Sequence, residues 1–65
     1  MNPRERGQKI ATLRKARAWS QRHFARAADL SPQHVLNIEA GSDPSVTILP
    51  EVAKALRVRP ATLLE

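Results

Sequence analysis

Apolar residues recur along this chain at spacings of three and four, in short bursts separated by turn chemistry. That pattern predicts several short amphipathic helices and no strands. The first burst is Ile10, Leu13 and Ala16, in a segment that opens Asn2-Pro3-Arg4-Glu5. Asn2 is a predicted N-cap, Pro3 suits the first helical position, and Glu5 stands where it completes a capping box. The helix is predicted to run to about Arg17 with its cations facing outward. Gly7 weakens its first turns by about 1 kcal/mol relative to alanine. Ser20 is the predicted cap of a second helix, whose buried face is Phe24, Ala25 and Ala28. Trp19, just ahead of that cap, is placed to staple onto the first turn near Phe24. Asp29-Leu30-Ser31 breaks the pattern. Ser31 caps a third helix, with Pro32 at its first position, Val35 and Ile38 on its buried face and Gly41 as its left-handed stop.

Beyond Gly41, Ser42-Asp43-Pro44-Ser45 is a loop by composition, and Val46-Thr47-Ile48 an irregular or single-turn stretch. Leu49-Pro50-Glu51 opens a fourth helix with Val52, Ala53 and Leu56 on its apolar face. Val58-Arg59-Pro60 ends it and leads to a fifth, Ala61 to Glu65, with Leu63 and Leu64 as contacts. The fold class expected is all-α, a compact bundle of five short helices. Helices two and three are joined by so few residues that they must cross steeply, and the small Ala25 lets them approach. That is a helix-turn-helix over about residues 20–41, an arrangement whose second helix enters the DNA major groove.

Length and composition narrow the class further. Sixty-five residues make one expected domain, 1–65, burying roughly 60% of its unfolded surface. With no cysteine, no disulfide or thiolate metal site can staple it. No apolar run reaches transmembrane length, and the start lacks a secretory apolar region. A soluble, cytoplasmic protein with no membrane partner is expected. The formal charge of +5 favours a polyanionic partner. Residues 1–28 hold Arg4, Arg6, Lys9, Arg14, Lys15, Arg17, Arg22 and Arg26 against Glu5 alone, whereas residues 29–53 hold no Lys or Arg. Lys54, Arg57 and Arg59 follow. The third helix therefore carries no cation, and its flanks carry nearly all of them.

In their order and spacing, Ile10-x-x-Leu13-Arg14, Ser20-Gln21-x-x-Phe24-Ala25, Ser31-x-x-x-Val35-x-x-Ile38-Glu39-x-Gly41 and Pro44 with Leu49-Pro50-Glu51-Val52-Ala53-Lys54-Ala55-Leu56 resemble the lambda-repressor-like (Cro/cI, XRE) helix-turn-helix family. The resemblance spans about Gly7 to Leu64 and implies a sequence-specific regulator of double-stranded DNA, with a repressor as the expected role. It places Gln21 against a backbone phosphate, and Gln33 and Asn37 on the outward face of the recognition helix. Being four apart, these two share a face, and either amide can bond adenine N6 and N7. His34 beside them is a further candidate base contact. Arg14, Lys15, Arg22 and Ser31 are candidate phosphate contacts. Arg14 and Glu39 match a family ion pair between the first and third helices. The family's dimer surface implies Ile48, Arg57, Val58 and Leu64 here, and a homodimer on a palindromic operator with half-sites about 34 Å apart.

Departures from the family accompany the matches. Asp29 stands where glycine is usual in the turn, Arg57 where glycine is usual after the fourth helix, and Ala40 at an often polar position. Asp43 replaces a common phosphate-binding cation, and Leu36 is apolar at a position facing groove or solvent. Other chemistry is poorly supported. Two histidines without cysteine do not make a zinc site, capping explains Ser20 and Ser31 without a triad, and two glycines make no phosphate loop. No cofactor and no small-molecule ligand are expected, nor is an enzyme. Three alternatives stay open: an antitoxin or restriction-modification controller of the same fold, a protein-interaction module using Leu36 and the uncharged third helix, and RNA binding, disfavoured by the scarcity of aromatics for base stacking.

Overall fold

The structure, a computed structural model, describes residues 2–42 and 48–64. The elements are α1 (Pro3–Ala16), α2 (Gln21–Ala27), α3 (Pro32–Glu39), α4 (Leu49–Leu56) and α5 (Pro60–Leu64), and no strand occurs among the described residues. The fold is the all-helical bundle expected. Asp43, Pro44, Ser45, Val46 and Thr47, read above as loop and irregular chain, lie outside the described residues, as do Glu65 and the side chain of Leu64.

Local chemistry sets the helix starts. Asn2 Oδ1 accepts from Glu5 N at 2.8 Å, and the Ser20 and Ser31 hydroxyls accept from His23 N and His34 N at 3.0 Å each. Each bond satisfies one N–H that the first helical turn leaves unpaired, worth about 1 kcal/mol. No side chain caps α4. The ends of α1–α4 share one device, paired backbone bonds closing a left-handed residue. At α3, Gly41 N bonds Ile38 O and Ser42 N bonds Asn37 O, with Gly41 at φ +98°. The same pairing recurs after α1, α2 and α4, where the left-handed residues are Ala18, Asp29 and Arg57 at φ 58–59°. A side chain in that region costs roughly 1–2 kcal/mol.

Ile10, Phe24, Ala25, Ala28, Val35, Ile38, Leu49, Val52, Ala53, Leu56 and Leu63 form one buried cluster, with Leu13, Trp19, Leu30, Ile48, Ala55 and Val58 at its margin. Trp19 stacks on Phe24 at 6.5 Å, as the staple predicts, and more closely on His23 at 4.8 Å. Ala25, 1% exposed, is the small residue the α2–α3 crossing needs.

Three expectations change. α1 ends at Ala16, which is exposed and not part of the core, because the left-handed turn at Ala18 stops the helix there. The fifth helix begins one residue earlier, at Pro60, whose fixed φ suits a first position. The cations of α1 do not all face outward: Arg14 is buried, and Arg17 turns to donate to the carbonyls of Leu13 and Leu56, joining the end of α1 to the end of α4. Gly7 is more than a weak point. It is buried against α3, where an added Cβ would strike the carbonyl oxygen of Ile38 and approach that of Glu39 to 2.9 Å. Glycine there lets two helix backbones touch.

Candidate nucleic-acid interface

Glu39, the last residue of α3, organises the region. Its carboxylate takes Arg14 Nε at 2.7 Å on Oε2, and Arg14 Nη2 and Gln21 Nε2 at 3.1 Å each on Oε1. The third arm of the guanidinium, Arg14 Nη1, donates to Trp19 O at 2.7 Å. One ion pair thus ties together α1, the turn before α2, the first residue of α2 and the end of α3. A carboxylate at a helix C-terminus opposes the macrodipole, and the paired cation offsets that. The two side chains are 10% and 7% exposed, so a large desolvation cost cancels much of the Coulomb gain. What the pair contributes is orientation: bidentate geometry admits few alternatives.

This placement bears on two candidate phosphate contacts. Three of the five N–H donors of Arg14 are engaged within the protein, so a phosphate would find only the remaining Nη hydrogens. The half-buried Gln21 likewise turns its amide toward Glu39. Neither engagement could be seen from charge distribution alone; it took the proximity of residues up to 25 apart. Lys15, Arg22 and Ser31 are exposed. The Ser31 cap uses an oxygen lone pair and not the hydroxyl hydrogen. Arg22 and Arg26 border a shallow depression of about 240 Å³, lined also by Ala25, Leu30 and Pro32, where α2 meets the start of α3. Positive charge therefore edges α3 without sitting on it.

On α3 the buried side is Val35 and Ile38, and the opposite side carries Gln33 and Asn37, both exposed. Gln33 Nε2 donates to Asn37 Oδ1 at 3.1 Å, so the two amides lie side by side one helical turn apart. His34 is half-buried at the edge of this face. Of the candidate dimer residues, Ile48 precedes α4, while Arg57 and Val58 follow it, about 12 Å of helix away. Ile48 and Val58 are also partly spent on the core.

The helix-turn-helix family model matches residues 10–63. The chain belongs to this family, in its lambda-repressor-like (XRE) branch. Among solved structures, this helix-turn-helix protein is similar to the restriction-modification controller protein C.AhdI from Aeromonas hydrophila, at a TM-score of 0.87 and 30% identity, over 92% of this chain and 88% of that one. The comparison with curated proteins finds no match. The helix-turn-helix protein is accordingly a DNA-binding transcriptional regulator. No helix among its described residues is long and apolar enough to cross a membrane.

Proposed function

We propose that the protein is a sequence-specific repressor that binds double-stranded DNA as a homodimer on a palindromic operator and reads the major groove with α3. The observation that carries this reading is the exposed, mutually bonded pair Gln33 and Asn37 on a helix whose end is clamped by Arg14 and Gln21 through Glu39. A fixed helix with protruding amides meets the geometric need of adenine recognition. Gln33, Asn37 and His34 contact bases. Lys15, Arg22 and the Ser31 hydroxyl hold phosphates, joined by the outer hydrogens of Gln21 and Arg14. A module of this size buries only about 600–1,000 Å² on DNA, so pairing two copies through the ends of α4 and the α5 surface raises affinity.

Binding to random duplexes at two salt concentrations, followed by selection of bound sequences, tests the proposal. Counterion release requires a steep loss of affinity with salt. Gln33→Ala should relax the preference at one position per half-site, whereas Lys15→Ala should weaken all sequences alike. A flat salt response with no selected motif would instead support a protein-interaction module. The likeness to C.AhdI favours a second reading, a restriction-modification controller of the same fold. The two separate by where selected genomic sites lie: upstream of methyltransferase or endonuclease genes for a controller, elsewhere for a repressor of another operon.

A further inference from the structure

Leu36 is the large hydrophobic that stands out on the surface of the described residues, 46% exposed. Nothing in the fold requires it there: Val35 and Ile38 already supply the core contacts of α3. At about 100° per residue, Leu36, Ala40, Gln33 and Asn37 fall in that order within an arc of about 100°. All four are exposed. The stripe holds two amides, a leucine and a methyl, with no charge at all. Glu39, the sole acid of the helix, is turned away into its bonds with Arg14 and Gln21.

The composition of that stripe discriminates among base pairs. Guanine is read most often by Arg or Lys on O6 and N7, and cytosine by a carboxylate on N4. Neither group is present on the outward arc. Amides suit adenine N6 and N7, and the partner of every adenine is thymine, whose C5-methyl group is the one apolar feature on the major-groove edge. An exposed leucine flanked by amides matches such an edge: the amides meet the polar atoms and the leucine the methyl. The cations bordering α3, among them Arg22 and Arg26, supply the attraction that brings a duplex to this face.

We infer that α3 reads A·T pairs and that Leu36 is a specificity-determining residue, packing on the C5-methyl group of a thymine in each half-site. This rests on the proposed DNA-reading role of α3. Burial of one methyl contributes about 0.8 kcal/mol, which corresponds to about fourfold in affinity.

The test uses the full chain and a duplex selected from a random pool, with its thymines replaced singly by deoxyuridine, which removes the methyl and nothing else. Wild-type protein should lose about fourfold in affinity at one thymine per half-site. The Leu36→Ala protein should bind the thymine and uracil forms equally while keeping the wild-type salt slope. Three outcomes overturn the inference: a selected half-site of G·C pairs only, equal wild-type affinity for thymine and uracil at every position, or an equal uracil penalty in Leu36→Ala. A selected motif that is indifferent to uracil overturns the inference and leaves the proposed function standing. The absence of any motif removes the proposed function together with it.

Discussion

All five helices share one apolar core, but the first three also carry side-chain caps and an ion pair. In α1–α3, Ile10, Phe24, Ala25, Val35 and Ile38 are buried, and directional bonds are added to them: three side-chain caps, the guanidinium of Arg14 clasping Glu39, and Gln21 on the same carboxylate. In α4 and α5 the contacts are apolar: Leu49, Val52, Ala53, Leu56 and Leu63 are buried, and no side chain caps α4. Hydrophobic burial is strong but non-directional, so it holds helices together without dictating their angle closely. Charged, bidentate hydrogen bonds are modest in net energy but demand one geometry. The directional contacts converge on the end of α3, the helix that the proposed function presents to DNA. Substitutions at the Arg14–Glu39–Gln21 contacts should therefore disturb DNA selection together with stability, and those at the buried apolar positions of α4 stability alone.

The largest effects test this division most severely. Arg14→Met leaves the Glu39 carboxylate, whose side chain is 7% exposed, without its cation and should cost about 3 kcal/mol in urea unfolding. Arg14→Met combined with Glu39→Met should cost clearly less than the two single losses added, and purely additive losses would show that the pair is not a unit. Leu56→Ala should cost a similar amount, about 2–5 kcal/mol, because it empties a fully buried site. The two variants should part company on DNA: at temperatures where both remain folded, Leu56→Ala should select the wild-type motif, and Arg14→Met a broadened one.

Gly7→Ala is a smaller and sharper probe. Helix propensity alone favours alanine by about 1 kcal/mol. The added Cβ meets the carbonyls of Ile38 and Glu39, so a net destabilisation of about 1–3 kcal/mol is expected instead. A more stable Gly7→Ala protein would mean that α1 and α3 do not touch as described. The smallest effect has the opposite sign. Ala18→Gly relieves a left-handed alanine on the surface and should raise stability by less than about 1 kcal/mol, with DNA selection unchanged. A loss on thermal unfolding would contradict the turn after α1.

The parts legible in the chain are those whose cause spans a few residues. Asn2, Ser20 and Ser31 are caps because a short side chain reaches an N–H three residues on. Gly41 stops α3 and Asp29 is left-handed for equally local reasons. That Gln33 and Asn37 share an exposed face follows from the helical repeat once Val35 and Ile38 are assigned to the core. The Arg14–Glu39 pair was legible through family resemblance; spacing by itself does not relate residues 25 apart.

Periodicity and caps by themselves determined five short helices, their starts to within a residue, and an outward face of the third helix without charge. Tertiary structure alone decided that Gly7 is a contact point between backbones, that Arg14 also donates to Trp19 O, that Arg17 turns inward to carbonyl partners, and that Gln21 shares the carboxylate of Glu39. The reason is one of range. A cap or a helical stripe is set by covalent neighbours within a turn or two. The direction of a long side chain and the closeness of two helices depend on which distant residues the packed core brings alongside.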